Sequence, residues 1–203
     1  MRAGAFRGNR MPKKSTILTL GAVVLLGCGG GEEGDQPASA PDPATEADAA
    51  APAAIPADWI SVDDAARTVT ITLVAGETDA NNRWNFNGYA HGEPTVVVPV
   101  GYTVTINFEN RDPVHHHSVG VLAKAASYPL VFDEATPVFD GAITSNATSM
   151  TEATAPGGGT GSFTFVASEA GEYALVCAVP ANAVTGMWIG FEVSESGDSG
   201  LRG

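Results

Sequence analysis

The sequence predicts an all-β protein, a Greek-key β-sandwich with a long loop insertion, preceded by a disordered tether. Apolar and polar residues alternate with period two in nearly every apolar run. Turn signals such as Asn87-Gly88 and Asp112-Pro113 separate the runs. From Trp59 to Val193 there is no long amphipathic helical pattern, and these residues are numerous enough for a single domain with one core.

Residues 1–28 are predicted to be a lipoprotein signal peptide. Five basic residues lie within residues 1–14, and the apolar stretch Ile17–Leu26 is too short to span a bilayer. Leu25-Leu26-Gly27-Cys28 has the form of a lipobox, in which Cys28 is lipidated and becomes the first residue of the mature protein. Met11 is an equally good translation start, because residues 11–28 alone form a complete short lipoprotein signal. We therefore expect an exported protein that lipid holds on the extracytoplasmic side, in the periplasm or at the cell surface.

Residues 29–57 are predicted to be a disordered acidic linker, because they are rich in Pro, Ala, Gly, Asp and Glu and have almost no large apolar residues. The chain carries 13 net negative charges. Residues 1–27 hold five of its ten basic residues and none of its 23 acidic ones, so their removal would leave 18 net negative charges. Such a charge excludes nucleic acid as a partner and favours a basic partner protein.

Residues 58–194 are expected to form the folded domain, and residues 195–203 a disordered C-terminal tail. The segment Ala123–Gly159 breaks the period-two pattern and is predicted to be a long, partly ordered insertion. Seven strands are predicted from the alternating runs: Thr68–Val74, Thr95–Val98, Tyr102–Phe108, His117–Leu122, Ser162–Val166, Tyr173–Cys177 and Trp188–Val193.

Two sulfur-containing residues mark the end of one predicted strand and the start of the next. Cys177 closes an alternating run, and Met187 follows ten residues later. Cys28 is the other cysteine of the chain. Its lipidation would leave Cys177 without a disulfide partner. Thiolate and thioether are soft ligands, so this spacing favours a mononuclear copper site.

Imidazole ligands are expected from the run of three histidines at residues 115–117. His117 begins a predicted strand, and period two places His115 on its side and His116 on the other. The alternative is an exposed polar loop or an adventitious chelator of Zn or Ni. His91 lies in a predicted loop and is a spare imidazole.

The segments NRDPVHHHSVGV and YALVCAVPANAVTGMWIGFEV together resemble the cupredoxins, and among them the sulfocyanin group, whose loop has the form Cys-x-x-Pro-Gly-His-x-x-x-Gly-Met-Trp. The resemblance spans about Trp84 to Val193. It implies a cupredoxin-like sandwich and an exported, membrane-anchored carrier of single electrons with one type 1-like copper site. By this resemblance the metal ligands are His117, Cys177 and Met187.

The sequence departs from this pattern at the second histidine, which is replaced by Asn182, and at the preceding glycine, which is Ala181. An amide oxygen is a neutral and harder donor than imidazole, so the change should weaken copper binding. Three outcomes remain open. Asn182 or water completes a distorted site, or His115, His116 or His91 replaces the missing imidazole, or the site no longer binds copper.

The function expected from these observations is that of a lipid-anchored, one-electron copper carrier with a basic redox partner. The alternative is a copper carrier or a copper-free binding module with the same fold. We expect no enzyme activity, because the sequence offers neither a second metal site nor an acid/base pair.

Overall fold

The computed structural model describes residues 58–203. The predicted signal peptide, the lipobox at Cys28 and the linker 29–57 lie outside these residues. Within residues 58–203, nine strands form two sheets, and one 3-10 turn lies at Ala80–Arg83. In this part of the chain no helix is long and apolar enough to cross a membrane. The predicted all-β sandwich is confirmed.

The first sheet has four strands in the order β1-β2-β4-β6. Their bounds are β1 Ile60–Asp63, β2 Thr68–Ala75, β4 Thr103–Asn110 and β6 Gly159–Val166. The second sheet has five strands in the order β5-β7-β8-β3-β9. Their bounds are β3 Gly92–Pro99, β5 Gly120–Ala123, β7 Gly171–Val176, β8 Trp188–Ser194 and β9 Gly200–Arg202.

Each sheet contains one parallel pair, β2 with β4 and β3 with β8, and the other neighbours are antiparallel. An alternating sequence predicts a strand with one buried face, but it does not specify the direction of the neighbouring strand. The two sheets face each other across a core that includes fully buried Phe86, Phe108 and Phe191.

Two strands lie outside the predicted set. β1 pairs with β2 after a turn in which Asp63 Oδ1 accepts a hydrogen bond from the Ala66 N–H at 2.9 Å. β9 pairs with β3 through Val96 and Leu201, so the prediction of a disordered tail at 195–203 is wrong for its last residues. Both are short edge strands, of four and three residues, and their pairing with an existing sheet determines their conformation.

The segment Ala123–Gly159 is described throughout, and it packs against the core, where only partial order was expected. Phe139 is 5% exposed and stacks on Phe165 of β6, with ring centroids 5.3 Å apart. The segment also continues the sheet edge, because Thr154 and His117 exchange backbone hydrogen bonds of 3.0 and 3.2 Å. The insertion therefore supports the backbone of a predicted ligand.

Candidate metal centre

Cys177 lies immediately after β7, at the pole of the sandwich where several loops meet. Its side chain is fully buried and forms no disulfide. The strand pattern explains this position, since the buried face of β7 continues for one residue past its end and carries the thiol into the core. The next ten residues form the loop that returns to β8 at Trp188.

His117 lies three residues before β5 and is fully buried. It belongs to an isolated bridge with Thr154 and not to the regular strand that the sequence predicts from residue 117. The bridge holds the backbone on both sides of the imidazole, so a residue outside the main sheets is still rigidly placed. The structure thus brings together two of the three predicted ligands, His117 and Cys177.

The two donor atoms face each other, with His117 Nδ1 at 3.8 Å from Cys177 Sγ. Metal bonds of about 2.0 Å to imidazole and about 2.3 Å to thiolate put two ligands of one trigonal centre about 3.8 Å apart. The distance and the soft donor set therefore fit a copper ion held by both side chains.

Asn182 stands directly beside this pair, 3% exposed. Its Nδ2 lies 2.9 Å from His117 Nδ1 and donates a hydrogen bond of 3.2 Å to Cys177 Sγ. The residue at the position of the missing histidine thus points into the ligand pocket. Its amide group hydrogen bonds to both of the atoms that would bind a metal, His117 Nδ1 and Cys177 Sγ.

Met187 ends the loop and is fully buried. Its backbone accepts a hydrogen bond of 3.1 Å from the Cys177 N–H and donates one of 2.9 Å to the Asn182 carbonyl. These two hydrogen bonds fix the backbone of Met187 relative to Cys177 and Asn182. Ala181, where the related loops carry glycine, has φ of 72°, which is the left-handed conformation that glycine adopts without strain.

The thiol sulfur receives further hydrogen bonds from Ser118. The backbone N–H of Ser118 donates to Cys177 Sγ at 3.4 Å, and the hydroxyl lies 3.7 Å away. The same hydroxyl accepts a 3.0 Å hydrogen bond from the Ala178 N–H and so links the segment that carries His117 to the loop that follows Cys177. Donors aimed at sulfur stabilise the thiolate, which is the form that binds metal.

A carboxylate lies behind the imidazole. Asp112 Oδ2 is 3.2 Å from His117 Nε2, on the side of the ring opposite Cys177, and the Asp112 side chain is 2% exposed. Burial on its own raises the pKa of Asp112, but the N–H groups of His115 and Val114, then the imidazoles of His117 and His115, lower it to about 2. Asp112 is therefore ionised at neutral pH.

The pKa values of His117 and Cys177 shift in opposite directions. Burial lowers the pKa of His117, but Cys177 and then Asp112 raise it by more. Burial raises the pKa of the Cys177 thiol, but His117, the Ser118 N–H and Asn182 lower it by more. The pocket thus favours a thiolate beside a protonated imidazole, and the ring becomes neutral only above the raised pKa of His117.

The other histidines do not join the pair. His115 Nδ1 lies 3.2 Å from Asp112 Oδ2, and His116 lines an outer cleft. His91 is exposed and packs on Gly186. Within residues 58–203 no three His, Cys, Asp or Glu side chains form a metal-binding group, so no described imidazole replaces the missing one.

Sequence reasoning missed the roles of Asp112 and Ser118. The sequence marks Asp112-Pro113 only as a turn signal and Ser118 only as a strand residue. The available signal was position, since Ser118 is next to a predicted ligand and Asp112 is an acidic residue five positions before it.

A mainly apolar cleft of about 290 Å³ opens beside Asn182. Val114 and Met150 on its rim are 67% and 66% exposed. Trp84, His115, His116, Val179, Pro180 and Ala181 complete the lining. The cleft is the part of the described surface that lies next to the buried ligand pair.

The chain is similar in sequence to a known family of proteins. A family model described as the sulfocyanin (SoxE) domain matches residues 56–199. Sulfocyanin from Sulfolobus acidocaldarius is 30% identical over 126 residues, which are 60% of this chain and 61% of that protein. The chain therefore matches about three fifths of that relative's length.

Solved structures of two copper proteins are also similar. Reduced rusticyanin is 26% identical with a TM-score of 0.45, and the match covers 68% of this chain and 90% of rusticyanin. Auracyanin A, a "blue" copper protein from Chloroflexus aurantiacus, is 23% identical with a TM-score of 0.43, over 63% of this chain and 99% of auracyanin.

Proposed function

The chain belongs to the sulfocyanin family, and from this membership we propose that it is a copper protein that carries single electrons outside the cytoplasm. The proposal has three finer parts. One copper ion is held by His117, Cys177 and Met187. The lipid on Cys28 tethers the domain to a membrane. The protein exchanges electrons with a basic partner and catalyses no reaction of its own.

The observation that supports the proposal most strongly is the facing pair His117 Nδ1 and Cys177 Sγ, 3.8 Å apart and fully buried. Copper bound there would supply reversible exchange between Cu(I) and Cu(II). The residues supply a fixed geometry, because Thr154 holds the backbone of His117 and Met187 holds that of Cys177. A pocket fixed in this way needs little rearrangement when its charge changes.

Burial and hydrogen bonding would set the ease of oxidation. The Ser118 and Asn182 N–H groups stabilise negative charge on the Cys177 sulfur and therefore reduce its donation to a metal. The apolar side chains around the site exclude water. Both effects would influence the redox potential of a copper ion bound at this site.

The proposed partner is a basic protein that docks over the cleft beside Asn182. The chain is strongly acidic, which favours fast encounters with a basic surface. The exposed rim residues Val114 and Met150 would add a small apolar contact, which is typical of weak and short-lived complexes. We expect the association rate to fall as the salt concentration rises.

A copper-free binding module is the second candidate, and Asn182 is the observation that favours it. Its amide hydrogen bonds to both His117 Nδ1 and Cys177 Sγ and so satisfies the buried polar atoms without a metal. A copper carrier that exchanges its ion readily would be an intermediate case, because an amide in place of imidazole weakens the site.

The test is a copper titration of the protein followed by visible absorption and EPR, with Cys177→Ser as control and Asn182→His alongside. The carrier proposal expects one copper per chain and an intense thiolate-to-copper band that Cys177→Ser abolishes. No band in the native protein, together with a band in Asn182→His, would favour the copper-free module.

The membrane tether has its own test. Cells grown with a labelled fatty acid should yield a labelled, membrane-associated protein, and Cys28→Ala should yield an unlabelled one. A native protein without label would refute the lipid anchor and leave the copper proposal intact.

A further inference from the structure

Asp112 is a buried carboxylate with no direct place in the predicted ligand set. Its two oxygens have different partners. Oδ1 accepts hydrogen bonds from the backbone N–H groups of Val114 at 2.8 Å and His115 at 2.9 Å. Oδ2 faces two ring nitrogens, His117 Nε2 and His115 Nδ1, each at 3.2 Å. A turn and two imidazoles therefore hold the carboxylate in one orientation.

A carboxylate only accepts hydrogen bonds when it is ionised, so the ring nitrogen that faces it must donate. His117 Nε2 therefore carries the proton. In the neutral ring the other nitrogen, Nδ1, then carries a lone pair. Nδ1 is the atom that faces Cys177 Sγ.

The opposite side of the ring agrees with this assignment. Asn182 Nδ2 lies 2.9 Å from His117 Nδ1, and an amide NH2 group only donates. The same group donates to Cys177 Sγ, so one amide bridges two acceptors in the metal-free protein. In the neutral ring, a proton on Nδ1 would face the NH2 group of Asn182, donor against donor, in a pocket that water does not reach.

We propose that Asp112 is a positioning residue that fixes His117 as the tautomer protonated on Nε2, with the Nδ1 lone pair aimed at the Cys177 sulfur. The tautomer is a property of the metal-free protein. Its consequence for metal affinity rests on the proposed function, because only a bound ion uses the lone pair.

Asp112→Asn should reverse the tautomer. The backbone N–H groups of Val114 and His115 need an acceptor, so the new side chain keeps its oxygen there. Its NH2 group then takes the place of Oδ2 and donates to His117 Nε2. The ring proton must move to Nδ1, where it opposes the NH2 group of Asn182.

The first measurement is the ring 15N spectrum of His117 in the native, metal-free protein, recorded above the pKa of the imidazole so that one nitrogen is protonated. We expect a protonated Nε2 and an unprotonated Nδ1. A native ring protonated on Nδ1 would overturn the proposal, whatever the folding of any variant.

The second measurement compares three variants. Asp112→Asn should move the proton to Nδ1 and weaken Cu(I) binding by about 10- to 100-fold, the usual loss for a residue that orients a metal ligand. His115→Ala, which removes the other imidazole from the same oxygen, should leave the tautomer of His117 unchanged. Asp140→Asn, at an exposed carboxylate away from this pair, should change neither quantity.

An unchanged tautomer in folded Asp112→Asn would refute the positioning role. If the native tautomer is as proposed and the native protein binds no copper, the proposed function fails while the assignment to Asp112 stands. If copper binds and the native ring is protonated on Nδ1, the function stands and the assignment fails.

Discussion

Replacing Asn182 with alanine should destabilise the metal-free protein. The substitution removes the NH2 group that donates to His117 Nδ1 and to Cys177 Sγ. The sulfur keeps the N–H of Ser118, so the larger loss falls on Nδ1, which becomes a buried acceptor without its amide partner. An unsatisfied buried acceptor costs about 1–3 kcal/mol, and the small cavity and the weaker bond to sulfur bring the total to about 2–4 kcal/mol.

The assay is urea unfolding of native and Asn182→Ala proteins in the presence of a chelator. With a slope of about 2 kcal/mol per molar urea, the midpoint should fall by about 1–2 M. Asn107→Ala, at an exposed position on β4, is the matched control and should change the stability by less than about 0.5 kcal/mol. Equal midpoints for native and Asn182→Ala proteins would show that the amide does not bridge the two donor atoms.

Three further predictions concern the loop, the insertion and the carboxylate. Ala181→Gly should raise the free energy of unfolding by up to about 1 kcal/mol, because the backbone at 181 has φ of 72°; a destabilised variant in urea unfolding would contradict this. Phe139→Ala should lower it by about 3–5 kcal/mol through the lost packing on Phe165, whereas a change below 1 kcal/mol would mean that the insertion does not pack as described. The side-chain 13C signal of Asp112 should titrate with a pKa of about 2. The ionised carboxylate therefore stabilises the fold above pH 3.8, and this contribution is lost as the pH falls from 3.8 towards 2. A titration midpoint near the ordinary 3.8 would contradict the hydrogen bonding of Asp112.

The sequence predicts the sandwich and the facing pair well because both follow from local patterns. Alternation identifies β7, and its continuation by one residue places the Cys177 thiol in the core. The histidine run offers one residue at the start of a strand, and His117 is the one that is buried.

Other features depend on contacts between distant parts of the chain, which a period of two does not encode. Parallel pairing of β2 with β4, and the addition of β9 to β3, are decided when the sheets assemble. The order in Ala123–Gly159 comes from a few anchors such as Phe139, in a segment whose composition otherwise favours a loop.

The role of Asp112 in the site is not predictable from its sequence context. Asp112 has the sequence signal of a turn, and its turn hydrogen bonds do occur, but its second oxygen points inward to His117. From the sequence, Asn182 either completes a metal site, leaves its place to another histidine or marks a lost site. Its observed place between His117 and Cys177 is compatible with the first and the third, because the same amide satisfies the pocket without metal and lies next to the ion with it.

Voltammetry of the copper-loaded protein will show whether the His117–Cys177 pocket carries single electrons through a bound copper ion. We predict one reversible one-electron wave that is present in the native protein and absent from Cys177→Ser, with the visible band appearing and disappearing at the same potential. A copper-loaded native protein with no reversible wave, or with a wave that Cys177→Ser leaves unchanged, would refute electron transfer at this pocket.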